Sequence, residues 1–280
     1  MIKIGVVLSG GGARGFAEIG VLKVLKRNNI EISCIAGSSI GSLIGACYAH
    51  NQDPNAIEKL LLDIKSKRDV YDYTFSTKGL IKGQKFEEYI TKYFFNNSKD
   101  SKKIIKFEDL TIPLIINATD IVNQKEIIFE KGPLISAVMA SLAYPGFFKT
   151  RTINNNICVD GGVLNPLPFD LLNEVDYIIM IDVSKQSIKI DENSNFKDII
   201  LQSSWAMQKI IVDKRVETCK IPYVIIKPEI ESHGVLEFND LPELTIIGEK
   251  EAEKQIDKIK KDIIEIEANL NKPAKSSKPY

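Results

Sequence analysis

One serine set between two glycines carries the first chemical signal in the sequence. Gly37-Ser38-Ser39-Ile40-Gly41 follows an apolar, β-prone run, Ile32 to Ala36, and precedes a small-residue helical pattern, Leu43 to Ala49. This order reads as a nucleophile elbow. A strand ends, the chain turns sharply, and the Ser39 hydroxyl is held at the carboxyl edge of a sheet. Such a turn crowds the backbone, and Gly37 and Gly41 remove side chains that would clash. The helix that follows points its N-terminus at the serine and favours negative charge developing there. The motif is weak alone, because a Gly/Ser-rich turn between a strand and a helix has the same letters. A membrane span is a second rival: the run from Ile32 to Ala49 has no charge, and Gly41 and Gly45 form a small-xxx-small pair. The run is barely long enough to span and is dense in Gly and Ser, which favours a buried strand and helix.

A second glycine-marked site is Ser9-Gly10-Gly11-Gly12-Ala13-Arg14-Gly15, directly after the strand-like run Ile2 to Leu8. Gly10, Gly12 and Gly15 match the dinucleotide-binding fingerprint. That fold needs an acid at the end of the second strand to hold the ribose. The strand here ends in Ala36-Gly37-Ser38-Ser39, and Glu31 precedes it. The other use of such a loop is an oxyanion hole, with the N–H groups of Gly10, Gly11 and Gly12 exposed for close approach. Donors of this kind contribute about 3–4 kcal/mol each to an acyl-transfer transition state. Arg14, counted with the oxyanion-hole residues, supports this loop or helps hold a phosphate, its bland alternative being a surface arginine at a helix start.

The nucleophile needs a base, and the chain has two histidines. His50 lies at the far end of the helix after Ser39, roughly 16 Å away at helical rise. His233 lies in a polar segment, Glu231-Ser232-His233-Gly234, with no carboxylate placed to orient it. Asp160 ends an apolar run and precedes Gly161 and Gly162. It is the better candidate, since a carboxylate in a dry site takes a serine proton directly. Its bland alternative is a turn aspartate bonded to its own backbone.

The elements that must hold these groups alternate. Strand, helix, strand and helix succeed one another to Ala49, which argues a mainly parallel sheet covered by helices. All three glycine sites then fall at the same carboxyl edge, where such sheets place their sites. Further strands are expected at Leu114 to Asp120, Glu126 to Phe129, Tyr177 to Val183 and Tyr223 to Ile226. Helices are expected at Ile135 to Leu142 and Phe196 to Cys219. From Glu249 to Leu270, Ala252, Ile256, Ile259, Ile263 and Ile266 form one apolar stripe that docks on the domain, a coiled-coil partner being the sharper alternative.

Residues 58–106 stand out, with 12 Lys+Arg against 7 Asp+Glu and interleaved aromatics. They read as a helical, cap-like insertion with its aromatics packed inward. The alternative is a cap that touches a lipid surface, lysines toward anionic head groups, which would put the protein peripherally at a membrane. The chain reads as a single domain over 1–271 with a disordered tail over 272–280. Its 280 residues carry 37 Lys+Arg and 37 Asp+Glu, a balance that argues against nucleic-acid binding. The four cysteines form no Cys-x-x-Cys pair and read mostly as packed thiols. No leader pattern follows Met1, so the cytoplasm is the expected location.

Together these stretches resemble the patatin-like phospholipase family, in its compact bacterial form. Ser9 to Gly15 resembles the family's oxyanion loop, Gly37 to Gly41 its nucleophile motif, and Asp160-Gly161-Gly162 its aspartate motif. Ala140 to Phe148, Val163 to Pro168 and Gly248 to Ala252 are also similar to family stretches. The resemblance implies a three-layer α/β/α sandwich and a Ser39–Asp160 dyad, with no metal and no other cofactor. It implies a serine lipid acyl hydrolase that cleaves phospholipid or other fatty-acyl esters. The rival from another class is a non-catalytic lipid- or nucleotide-binding module that uses the Gly10–Gly15 loop.

Overall fold

The computed structural model describes residues 2–66, 72–76, 79–95, 104–184, 190–230 and 241–270. The expectations for His233 and for the 272–280 tail lie outside these residues. The chain runs β1 (Ile4–Leu8), α1 (Gly15–Arg27), β2 (Cys34–Gly37), α2 (Ile40–Asn51), α3 (Pro54–Ser66), β3 (Tyr73–Ser76) and β4 (Gly79–Ile81). It continues through α4 (Gln84–Ile90), β5 (Leu114–Asp120), β6 (Lys125–Phe129), α5 (Leu134–Ser141), β7 (Arg151–Ile153) and β8 (Asn156–Asp160). It ends with β9 (Tyr177–Ile181), α6 (Phe196–Val216), β10 (Tyr223–Ile226) and α7 (Leu241–Leu270).

β1 and β9 are apolar and buried at every position, apart from the glycine in β1. A strand needs this when both faces of its sheet are covered. The sheet order is β10-β9-β1-β2-β5-β8-β7, with β6 on β5. β10, β9, β1, β2 and the start of β5 run parallel, whereas β6, β8 and β7 add antiparallel pairs. Side chains alternate between the faces of a strand. Val6 and Leu8 enter a core with Leu22 of α1, Ile44 of α2 and Ile256 of α7. Val7 enters a separate core with Met180 of β9 and Val212 of α6. Helices therefore cover both faces, which is the α/β/α sandwich.

α7 starts at Leu241, earlier than the charge pattern suggests, because Leu241 and Leu244 are also buried. Its apolar stripe packs on the domain through Ala252, Ile256 and Ile259. α1 and α7 meet backbone to backbone. A Cβ on Gly20 would stand 2.0 Å from Thr245 O, and one on Gly248 1.9 Å from Ala17 O.

The 58–106 stretch is not simply helical. α3 begins at Pro54 and crosses the expected boundary, with Asp53 Oδ1 accepting the Asn55 N–H at 3.1 Å. β3 and β4 then pair antiparallel, and a π-helical turn, Thr91–Phe95, follows α4. Tyr73-Thr74-Phe75 is β-prone, and that local preference prevails over a helix. Among the described aromatics here, Phe86, Tyr89, Phe94 and Phe95 are buried in the larger core. No helix among the described residues is long and apolar enough to cross a membrane.

Candidate active site

Ser39 sits between the end of β2 and the start of α2 with φ 52° and ψ −125°. This region is unfavourable for an L-residue and persists only where the surroundings hold it. They do so here. The Ser39 N–H donates to Ser141 Oγ at 2.8 Å, and Ser39 O accepts from Ser42 Oγ at 2.6 Å and from Ser42 N–H at 2.9 Å. The two glycines are required by contact. A Cβ on Gly37 would stand 2.6 Å from Gly41 O, and one on Gly41 2.4 Å from Leu8 O.

β8 runs antiparallel to β5 and brings Asp160 level with Ala118. Ser39 Oγ donates to Asp160 Oδ2 at 2.6 Å, and Asp160 Oδ1 accepts the Gly162 N–H at 2.7 Å. Asp160 is buried. Burial raises its pKa from 3.8 to about 7, against the opposing effect of the Ser39 and Gly162 hydrogen bonds. The carboxyl therefore changes charge near neutrality, where a proton acceptor is most effective.

The glycine loop lies against the serine: a Cβ on Gly10 would stand 3.2 Å from Ser39 Cβ. Its donors are not equivalent. The Gly10 N–H donates to Pro166 O at 3.0 Å, so it is not a free donor as the motif suggested. The N–H groups of Gly11 and Gly12 donate to no described residue. Gly12 has φ 59°, the left-handed region that glycine enters without cost. Arg14, at the end of the loop, is buried and not a surface residue.

Of the two histidines, only His50 is among the described residues, and it is not at the site. His50 lies at the other end of α2, packed against the rings of Phe94 and Phe95 at centroid distances of 6.2 and 5.1 Å. Burial lowers its pKa. Among the described residues, no group of His, Cys, Asp and Glu is arranged to hold a metal ion.

Several supporting residues carried no role in the sequence reading. Ser141 lies in the Ala140–Phe148 stretch, whose sequence indicates no role for it. Asn117 Nδ2 donates to Asn165 O at 2.9 Å, and Asn165 Nδ2 to Glu126 Oε1 at 3.0 Å, which braces the turn after Asp160. Gln208 of α6 donates from Nε2 to Gly162 O at 2.9 Å. Its only sequence signal is a polar residue on the same helix face as Trp205 and Val212. Ile40 opens α2, so its N–H is among the unpaired first-turn donors next to Ser39.

The profile of the family described as "Patatin-like phospholipase" matches residues 6–173. The chain belongs to the patatin-like phospholipase family. The match includes the glycine loop, the Ser39 turn and the Asp160 turn. An uncharacterised NTE family protein of Mycobacterium tuberculosis is 31% identical over 183 residues, covering 65% of this chain and 49% of that protein. Lysophospholipase NTE1 of Candida albicans is 26% identical over 281 residues, covering 89% of this chain and 20% of that protein. The patatin-like chain thus spans about half the length of the first of these relatives and about a fifth of the second. The crystal structure of VipD from Legionella pneumophila has the same fold. Its TM-score is 0.62 at 15% identity, covering 92% of this chain and 67% of that one.

Proposed function

We propose that this patatin-like chain is a serine lipid acyl hydrolase, with Ser39 as nucleophile and Asp160 as its base. The observation that carries the reading is the 2.6 Å hydrogen bond from Ser39 Oγ to a buried carboxylate, with free loop N–H groups close by. The fungal relatives named lysophospholipases support a fatty-acyl ester as the substrate class.

The steps follow from the groups present. Ser39 Oγ attacks the ester carbonyl carbon as Asp160 Oδ2 takes its proton. The carbonyl oxygen gains the negative charge and lies against the Gly11 and Gly12 N–H groups. The C–O bond to the alcohol breaks, and the alcohol leaves with the proton from Asp160. Water then attacks the acyl-enzyme and gives its proton to Asp160. The Ser39–acyl bond breaks, the fatty acid leaves, and Ser39 recovers a proton.

Covalent labelling with a fluorophosphonate probe tests this in wild type, Ser39→Ala and Asp160→Asn. Wild type should label and both variants should not, with ester turnover lost in step. Labelling that survives Ser39→Ala removes the nucleophile. Unchanged turnover in Asp160→Asn removes the base. A folded wild type that neither labels nor turns over esters leaves the binding-module reading.

A further inference from the structure

The buried aromatics of the 58–106 stretch are not available to a lipid surface, and apart from Ile104 the large exposed apolar side chains stand elsewhere. Five of them lie on α6. Phe196, Ile199, Ile200, Met207 and Ile210 are between 49% and 68% exposed. At 3.6 residues per turn they share one stripe about 100° wide. The opposite face of α6 buries Trp205, Gln208 and Val212. The helix is therefore apolar on two sides, and the domain covers only one.

Connectivity places the start of this stripe on the active-site side. Gln208 bonds Gly162 O, two residues from Asp160. Phe196 lies twelve residues earlier, about 18 Å along the helix axis. α6 follows β9 and precedes its parallel neighbour β10, so its first turns stand at the carboxyl edge.

A second element rises past the same edge. Ala118 of β5 is paired with Asp160. β5 continues through Thr119 and Asp120, and Ile121 and Val122 follow, about 10 Å or more beyond at roughly 3.3 Å per residue. Both are exposed, and the Ile121 N–H donates to the O of Ile157, which is also exposed.

We infer that these two projections form a rim by which the protein rests on an uncharged or zwitterionic lipid layer, with Ser39 facing that layer. The inference rests on the acyl hydrolase reading, since the substrate it supplies resides in such a layer. Two separate projections from one edge suit a broad, soft partner better than a groove-bound peptide. Apolar side chains of amphipathic elements settle about 5–10 Å into the headgroup boundary, which these projections reach. The local charges favour an uncharged layer over an anionic one. Along 119–126 and 190–204, Lys125 and Lys197 stand against Asp120, Glu126, Asp191, Glu192 and Asp198. Attachment is driven by apolar burial and resists salt.

Co-sedimentation with phosphatidylcholine vesicles tests the rim, using wild type, Ser39→Ala and two double variants, Ile121→Asp/Val122→Asp and Phe196→Asp/Ile200→Asp. Wild type and Ser39→Ala should bind equally, in low and high salt. Each double variant should bind about tenfold more weakly or worse, as the loss of a buried apolar side chain implies. The double variants should keep the wild-type melting temperature and wild-type turnover of a water-soluble short-chain ester, while hydrolysis of vesicle lipid falls. Vesicle binding by a chain that cleaves no ester sinks the catalytic reading and leaves the rim standing. Failure of wild type to bind overturns the rim, and so does binding only to anionic vesicles with release by salt. A dimer in sedimentation velocity that the Phe196→Asp/Ile200→Asp variant dissociates also overturns it, because a second copy then covers the stripe.

Discussion

Ser39 Oγ and Asp160 Oδ2 share a hydrogen bond of 2.6 Å, while the other carboxylate oxygen of Asp160 is held by the Gly162 N–H. One oxygen faces the chemistry and the other fixes the direction of the group. On the proposed reading, the proton-accepting oxygen is therefore aimed without a third residue.

That arrangement sets a pH profile. The basic form of Asp160 is lost as pH falls through about 7. kcat/KM on a soluble ester should rise about tenfold per pH unit below that point and level off about one unit above it. A profile flat down to pH 5 would contradict the raised pKa. Asp160→Asn should lower kcat by about a hundredfold or more. The same group affects stability with the opposite sense. Folded Asp160 keeps a proton that an unfolded carboxyl with pKa 3.8 has lost, so wild-type stability declines between these values as pH rises. Asp160→Asn should remove that share of the decline, measured as melting temperature against pH.

The Ser39 backbone yields a second prediction. At φ 52° and ψ −125°, a side chain is strained and glycine is not. Ser39→Gly and Ser39→Ala should both be inactive. The glycine variant should be more stable than the alanine variant by about 1 kcal/mol or more. Equal stability in urea titrations would show that Ser141 and Ser42 hold a turn with no strain in it.

Gln208 tests how far the site depends on α6. Its bond to Gly162 O is buried. Gln208→Ala leaves that carbonyl without a partner and should cost about 1–3 kcal/mol of stability. Because the turn carries Asp160, kcat should fall severalfold with KM on a soluble ester little changed. Loss of stability alone, with kcat intact, would confine Gln208 to packing.

Glu18 lies behind the glycine loop. It is fully buried, and neither carboxylate oxygen has a hydrogen-bond partner among the described residues. Burial raises its pKa well above 4.5 and Asp182 adds like charge, against a weaker pull from the nearby Ser9 N–H and hydroxyl, which fall short of hydrogen-bond geometry. The folded state therefore favours the protonated form, and stability falls as pH rises from 4.5 toward the folded pKa. Glu18→Gln should raise the melting temperature at pH 8 by about 2 °C or more, the shift expected from about 1 kcal/mol. It should also flatten the decline between pH 5 and 8. A lower melting temperature at pH 8 would mean that the carboxylate is satisfied.

Much of this was legible in the sequence, for reasons specific to each stretch. The strands at Tyr223–Ile226 and Glu126 to Phe129 follow from short, β-branched apolar runs. The elbow could be read because Gly37 answers to a steric contact with Gly41, four residues away, although the contact that Gly41 answers to, Leu8 O, comes from β1. The role of the Gly10 N–H could not be read, because its partner, Pro166 O, is brought near only by folding. Ser141 and Gln208 were hidden for the same reason. Each acts on the site from another helix, and a lone buried polar residue leaves little pattern. The 58–106 stretch was read as helical from its composition, and β3 and β4 show that local β-preference decided otherwise.

The backbone contact between α1 and α7 bears on how the chain comes off the ribosome. Arg27 meets Glu249 across 222 positions, so α1 emerges about ten seconds or more before its cover at 5–20 residues per second. The face that waits includes Ala17 and Gly20, which offer little apolar area. The apolar residues of α7, Leu241, Leu244 and Ile256, are made after it. The order of synthesis thus leaves the apolar residues of α1, Leu22 among them, waiting for part of their cover until α7 is made.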